Sequence, residues 1–244
     1  MRRGSRVSEA DVKTHRARVA QEERMKMLWG GAALAACALG FAAGTSQAAE
    51  GWSTVAEKPY VVKVRARPGT QAKDVWAEGE LAASAADVQA VLRDVDAYRH
   101  WMPYVKESRL LKELPDEGQL TYTRLDLPVV SARDYISNVV LESKLVEDGS
   151  GVFAQRWQAE PDAIPQRRGT VRIRLNEGSW RVEPRGEDKS HAVYRFTVDP
   201  AGSIPGFLAR MGQKDAVEDT FRAVEKRARQ HAESRQQESN AHRD

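Results

Sequence analysis

The chain has 244 residues, 30% of them charged, and a mean hydropathy of −0.60, which are values of a soluble globular protein rather than of an integral membrane protein. Its formal net charge of +3 arises in residues 1–49, where eight Lys and Arg stand against four Asp and Glu, whereas the later residues carry thirty against thirty-one. Because the later residues have no positive excess to attract phosphates, we expect no nucleic-acid partner.

Residues 25–49 have the pattern of a secretory signal peptide. Lys26 precedes an apolar run, and small residues end at Ser46-Gln47-Ala48. This pattern predicts a protein that is periplasmic or secreted. The polar residues 1–24 leave two alternatives: translation begins at Met25, so that the extension is not made, or the extension is a cytoplasmic tail before an uncleaved membrane anchor. The Ala- and Gly-rich run is a weak membrane span, which favours the first alternative.

The single cysteine, Cys37, lies inside this leader. The segment Leu34-Ala35-Ala36-Cys37 is similar to a bacterial lipobox, so a lipid on Cys37 is a second way to anchor the protein to a membrane. The residues that follow remain apolar, whereas a lipoprotein tether normally turns polar. A cleaved chain has no cysteine, which excludes a disulfide framework and a thiolate site.

After the leader, the sequence alternates in the manner of β-strands. Two strands at 60–66 and 74–81 are joined by Pro68-Gly69, and Ser84 caps a short amphipathic helix. Tight turns between successive strands then indicate an antiparallel meander, and a helix at the end makes the fold class α+β. The later strands follow an aromatic turn, Tyr98–Tyr104, and are predicted at 105–114, 120–127, 134–145, 151–158, 170–182 and 192–198.

The last predicted helix runs from Ser203 to about Arg229 and has two apolar faces in series. The direction of the apolar stripe changes near Gly212. Two faces that point in different directions pack against two partners, the sheet and either a ligand cavity or a mobile loop. A bent helix packed wholly on the core is the alternative. The first face holds Ile204, Phe207, Leu208 and Met211, and the second holds Val217, Phe221, Val224 and Ala228.

We find no internal repeat, low-complexity linker or second core in the sequence. The predicted organisation is a polar extension over residues 1–24, the signal peptide over 25–49, one domain over 50–232 and a disordered polar tail over 233–244.

Catalytic signatures are lacking in the sequence. The histidines after the leader are scattered, with no spacing that suits a metal, and neither a G-x-S-x-G elbow nor a glycine-rich phosphate loop occurs. We therefore expect no metal, no cofactor and no enzymatic activity.

The charged strand residues leave open which face of the sheet turns inward. Tyr122 and Arg124 share one face of their strand, and Thr121 and Thr123 share the other. If Arg133 or its neighbour Asp134 lies inside, it must be paired, because an unpaired buried charge is costly. Such a residue either forms a structural ion pair or contacts the polar headgroup of a ligand.

Several segments, in the right order, are similar to bacterial START-domain proteins, the StAR-related lipid-transfer family. One of them contains the Ser-x-Arg-Asp signature at residues 131–134. The resemblance covers about residues 50–232 and is specific because it rests on several motifs. The segments are Val91–Pro103, Asp126–Tyr135, Gly169–Trp180, Val198–Pro205 and the final helix.

The resemblance implies a helix-grip fold of the Bet v 1-like superfamily. Such a fold has a curved antiparallel sheet of about seven to nine strands wrapped around a long C-terminal helix, with an internal apolar cavity. Ligand access in the family usually involves the loop that corresponds to Pro128–Ala132 and the start of the last helix. The ligand-binding residues implied by the resemblance are Trp101, Met102, Tyr122, Arg133, Trp157, Phe207, Leu208 and Met211.

The function implied by the resemblance is non-catalytic binding or transfer of a lipid or sterol-like small molecule. We expect a monomer that works outside the cytoplasm and touches a membrane transiently. Two alternatives stay open: a polyketide cyclase/aromatase-like enzyme of the same superfamily, and an envelope protein that binds a protein partner and keeps only a vestigial cavity.

Overall fold

The computed structural model describes residues 51–127, 130–201 and 206–242, and for residues 206–213 it describes the backbone alone. The predicted signal peptide, the extension before it and Cys37 lie outside these residues, so these predictions stay predictions. Among the described helices, none is both long enough and apolar enough to cross a membrane.

Ten strands in the described residues form one sheet. Their bounds are Ser53–Ala56 (β1), Val61–Ala66 (β2), Lys73–Leu81 (β3), Val105–Glu113 (β4), Gln119–Leu125 (β5), Arg133–Ser143 (β6), Phe153–Ala159 (β7), Val171–Arg172 (β8), Leu175–Pro184 (β9) and Ser190–Asp199 (β10). The order across the sheet is β1-β2-β3-β10-β9-β7-β6-β5-β4, and each neighbouring pair is antiparallel. The short β8 pairs in parallel with β6, off this path.

Two strands were not resolved in the sequence prediction: β1 was missed, and β8 and β9 were taken as one strand. The backbone N–H groups of Val171 and Ile173 donate to the carbonyls of Ala132 and Asp134, at 2.9 and 2.8 Å. After these bonds to β6, the chain leaves it and pairs with β7 and β10. Continuous alternation of residue types cannot reveal such a change of partner, because both pieces are extended.

The helices are Ala85–Arg93 (α1), Tyr98–Trp101 (α2) and Gly206–Ala241 (α3), with a 3-10 turn before α2. Ser84 caps α1 as the sequence predicted, since its hydroxyl accepts a hydrogen bond from the N–H of Asp87 at 3.1 Å. The predicted end of α3 near Arg229 differs from the structure. Arg235 donates to the buried carboxylate of Asp87 at 2.8 and 3.0 Å, which fastens the late turns of α3 to α1. The segment predicted as a polar tail is therefore helical through Ala241.

The core lies where α3 packs on the sheet. Val217, Phe221, Val224 and Ala228 are at most 2% exposed, as the helical spacing predicted. The ring of Phe221 lies 4.6 Å from that of Tyr60. Burying a side chain of this size contributes about 1.5–3 kcal/mol to stability. The packing confirms the predicted α+β helix-grip architecture, with ten strands in place of the seven to nine expected.

Candidate functional site

A cavity of about 310 Å³ lies on the face of the sheet that α3 covers. Small-molecule sites typically occupy roughly 300–1,000 Å³, so this volume lies near the lower end of that range. The α1–α2 segment and the residues after it form one side of the wall. The helix α3 contributes the small side chains of Ala216 and Thr220, which lie one turn apart beside its buried apolar stripe.

Along β5, β6 and β7, the residues that line this cavity are two positions apart, because side chains alternate between the two faces of a sheet. The inward face of β5 is therefore the one that carries Thr121 and Thr123. This result answers the question that the sequence left open. The strand residues of the lining are Val105 of β4; Gln119, Thr121, Thr123 and Leu125 of β5; Tyr135, Ser137 and Val139 of β6; Gln155 and Trp157 of β7; Asn176 and Trp180 of β9; and Tyr194 of β10.

The position of Trp157 in the wall depends on Gly178, its partner on β9. A Cβ atom at Gly178 would lie 2.4 Å from the indole of Trp157 and 2.3 Å from the carbonyl oxygen of Arg195. Only glycine allows the ring to lie this close to the strand. Trp157 is one of the ligand-binding residues implied by the resemblance, and the structure places it in the lining.

A hydrogen-bonded chain crosses the wall next to this ring. The indole Nε1–H of Trp157 donates to Oδ1 of Asn176 at 3.3 Å, and Nδ2 of Asn176 donates to Oγ of Ser137 at 3.4 Å. The hydroxyl of Thr121 donates to the Ser137 carbonyl at 3.4 Å. These long bonds join β5, β6, β7 and β9 through neutral polar groups inside a largely apolar cavity.

Aromatic rings form another part of the wall. The rings of Trp180 and Tyr194 stack at 4.1 Å with an angle of 11° between their planes. Burial raises the pKa of the Tyr194 hydroxyl, and it does the same for Tyr98 and Tyr135. These three hydroxyls therefore stay neutral at physiological pH.

Tyr122 lies on the opposite face of β5, where a buried ion pair forms. Arg172 donates to both carboxylate oxygens of Asp134, at 2.7 and 3.2 Å, and the Tyr122 hydroxyl donates to the same carboxylate at 3.2 Å. Arg172 also donates to the carbonyls of Ile164 and Pro165 in the loop before β8. This network is the structural ion pair considered from the sequence, and it fastens the loop to the outer face of the sheet.

Arg133 lies on the same face of β6 as the lining residues of that strand, but its guanidinium donates hydrogen bonds to backbone carbonyls. It is 2% exposed and donates to the carbonyl oxygens of Pro200 at 3.0 Å and of Ala201 at 3.4 Å, and also to that of Ser131. Burial lowers the pKa of Arg133. Arg133 thus links the strand β6 to the segment that leads into α3, and it is not among the described lining residues.

The remaining residues implied by the resemblance have different positions. Met102 lines the cavity. Trp101 packs against the core and lies edge-on to Tyr98, with 5.2 Å between ring centroids, and it is not among the described lining residues. The side chains of Phe207, Leu208 and Met211 lie outside the described part of the structure, as do Pro128 and Val129 of the predicted access loop. Their roles stay predictions.

The sequence interpretation missed the neutral polar members of the wall. Gln155, Asn176, Thr121 and Ser137 were not among the candidate site residues, although they lie in the lining. Counting back two residues from Trp157 gives Gln155, so the strand period could have found it. Asn176 carried no such signal, because the break between β8 and β9 was not visible in the sequence.

The chain belongs to a known family. A family model described as polyketide cyclase / dehydrase and lipid transport matches residues 81–225, which is more than half of the chain. This description covers both enzymes and lipid carriers. Membership in the family therefore defines the fold and the presence of a cavity, and it does not distinguish an enzyme from a lipid carrier.

Similar proteins define the domain more closely as START-like. The solved STAR-related lipid transfer protein from Xanthomonas axonopodis is 33% identical, with a TM-score of 0.64, over 74% of this chain and 99% of that one. Human StAR-related lipid transfer protein 5 has a TM-score of 0.62 over 91% of this chain and 99% of its own; at 17% identity it shows the fold alone. An uncharacterized protein of Pseudomonas aeruginosa is 27% identical over 72% of this chain and 86% of its own length.

Proposed function

We propose that the protein binds a lipid or another hydrophobic small molecule in this cavity and does not convert it chemically. The observation that carries the proposal is the lining. Its described residues are aliphatic, aromatic or neutral polar, and none of them is acidic, basic or a histidine. Apolar surface that a ligand buries in such a wall contributes about 25 cal/mol per Å². The 33% identical relative, whose name describes lipid transfer, supports the same conclusion.

Acid–base catalysis is the alternative that the family description keeps open. A cyclase needs a group that moves protons in its transition state. Burial raises the pKa of the lining residues Tyr98, Tyr135 and Tyr194, so these hydroxyls cannot serve as bases near neutral pH. The described lining therefore supplies no general base, and this lack supports binding rather than turnover.

We further propose that the protein is an exported monomer that contacts a membrane transiently to exchange its ligand. The predicted leader over residues 25–49 supports the export. N-terminal sequencing of protein from the envelope should find a mature start near Ala49 or Glu50. Retention of residues 1–24 in the membrane fraction would support the uncleaved anchor instead, and an added lipid mass on Cys37 would support lipidation.

Turnover is tested with a linear poly-β-ketone thioester, incubated with the purified protein and followed by mass spectrometry. We expect the thioester to be recovered unchanged. A cyclised product that forms with the wild type, and not with an Ala216→Phe variant that fills the cavity, would contradict non-catalytic binding. A protein that binds neither the thioester nor any apolar probe would support the vestigial cavity.

A further inference from the structure

Gln155 is a buried polar side chain with a hydrogen-bonding atom that no described residue of the protein uses. It lines the cavity, is 5% exposed, and its Oε1 has no hydrogen-bond partner in the described part of the chain. On β7 it lies opposite Leu141 of β6 and Trp180 of β9, so its cross-strand neighbours offer it little polar contact. A buried amide without a partner destabilises the folded state. Its place in the lining points to a partner that comes from the cavity.

Several other polar side chains of the wall form hydrogen bonds within the protein. Trp157, Asn176 and Ser137 are joined to one another. The Tyr98 hydroxyl donates to the Leu92 carbonyl at 2.6 Å. Among the described lining residues, Gln155 carries the buried polar atom that lacks a partner.

We propose that Gln155 binds the polar group of the ligand, and that this group is a hydroxyl on an otherwise apolar, uncharged molecule. This inference rests on the proposed function and names the class of ligand. A hydroxyl can donate to Oε1, and it can also accept from the amide nitrogen, so it satisfies the carboxamide in either orientation. An ether oxygen accepts and cannot donate, so it leaves Oε1 unpaired.

The lack of charged residues in the described wall disfavours charged headgroups, such as carboxylates and ammonium groups, beside Gln155. None of the described lining residues is charged. A carboxylate or an ammonium group drawn in beside Gln155 would lose its hydration and gain no countercharge. The site therefore selects a long-chain or polycyclic alcohol over a fatty acid or an amine.

Titration calorimetry with three probes that share a twelve-carbon chain tests this selection: 1-dodecanol, dodecyl methyl ether and dodecanoate. We expect wild-type protein to bind the alcohol at least about tenfold more tightly than the ether, because the ether leaves a buried group unpaired. Dodecanoate should bind most weakly. Gln155→Met keeps the length of the side chain and removes its polar atoms, and it should bring the alcohol and the ether within about threefold of each other.

Gln158→Met is the matched control, since it makes the same change at an exposed position of the same strand. This variant should keep the wild-type ratio of affinities. The melting temperature without ligand gives a second, independent readout. Because Gln155→Met removes an unpaired buried group, it should raise that temperature by about 2–4 °C. A residue with a purely structural role would lower it.

Equal affinities of the wild type for the alcohol and the ether would overturn this inference and leave hydrophobic binding intact. So would a Gln155→Met protein with the wild-type ratio, a lower melting temperature for that variant, or tighter binding of dodecanoate than of the alcohol. Failure of all three probes to bind would overturn the proposed function together with the inference.

Discussion

Single residues decide how close the strands and rings of the cavity wall can approach each other. Trp157 lies over Gly178, and its Nε1–H is held by Asn176. The missing side chain on β9 and the amide beside it together fix the position of the ring. The shape of the cavity therefore depends on a residue that contributes no side chain to it.

Gly178→Ala should destabilise the protein by about 3 kcal/mol, because its Cβ would lie 2.3 Å from the backbone oxygen of Arg195 and neither strand can move freely. Urea unfolding measures this loss. The control is Gly69→Ala, at a turn where no atom beyond the adjacent residues lies within 4 Å of the added Cβ and where φ is +76°. Only the left-handed backbone opposes this second change, at a cost of about 1 kcal/mol. Equal losses at the two glycines would show that the close approach to Trp157 is not needed.

At the scale of elements, β5 shows what the sequence could not predict. Both faces of this strand are buried: Thr121 and Thr123 are 4% and 3% exposed towards the cavity, and Tyr122 is 3% exposed on the other side. The outer face is covered because Arg172 holds the loop before β8 against Asp134. With no solvent-facing side, alternation predicts a strand and leaves its inward face undefined.

The buried face of α3 was predictable, because its apolar residues recur at the helical period where the helix packs on the core. The spacing of Val217, Phe221 and Val224 predicted the buried stripe, and the structure confirms it. Its length was not predictable from that stripe, because the last turns are held by Arg235 and Asp87 rather than by apolar contacts.

Replacing phenylalanine by alanine at two positions of α3 distinguishes the part of the helix that packs in the core from the part that we expect to contact the ligand. Phe221 is fully buried, so Phe221→Ala should cost about 3–5 kcal/mol in urea unfolding. Phe207→Ala should cost less in ligand-free protein and weaken the retention of a bound lipid, since we expect the ligand to be part of the surroundings of Phe207. Equal stability losses with equal retention would mean one continuous core along the helix.

We expect the contact between α1 and α3 to weaken at low pH, because it includes the carboxylate of Asp87. Burial alone would raise the pKa of Asp87, but hydrogen bonds from Ser84 and His231 and the positive charge of Arg235 outweigh this effect and lower the pKa. A carboxyl group with a lowered pKa stabilises the fold at pH values above its unfolded pKa. This stabilisation is lost as the pH falls through the folded pKa.

Asp87→Asn should therefore cost roughly 1.5–3 kcal/mol at pH 7, which is typical of hydrogen bonds to a charged group. The difference from wild type should shrink below about pH 4, where the unfolded carboxyl becomes protonated. Chemical denaturation of both proteins at a series of pH values measures this difference in the free energy of unfolding. Asp188→Asn changes an exposed turn residue and serves as the control, with little effect expected at any pH. A loss that stays constant down to pH 2 would contradict the electrostatic origin of this contact.

At the scale of the whole molecule, the helix-grip fold was predictable from several motifs in sequence, although β1 and the break between β8 and β9 were not. The polar wall of the cavity was predictable only at Gln155, which the strand period places two residues before Trp157; Asn176 joins the same wall only through the pairing of β7 with β9. The sequence therefore identifies the family of the protein more clearly than it identifies the ligand.

The most direct test of the central claim is native mass spectrometry of the full-length protein, expressed and purified without detergent. The wild type should carry an uncharged apolar molecule in about one-to-one ratio, which organic solvent releases unchanged. The Ala216→Phe variant, in which the new ring fills the cavity from α3, should no longer carry the bound molecule. The Lys226→Phe variant has the same ring at an exposed position of the same helix and should still carry the bound molecule. A wild type with no bound molecule, or an Ala216→Phe protein that retains it fully, would contradict ligand binding in the cavity.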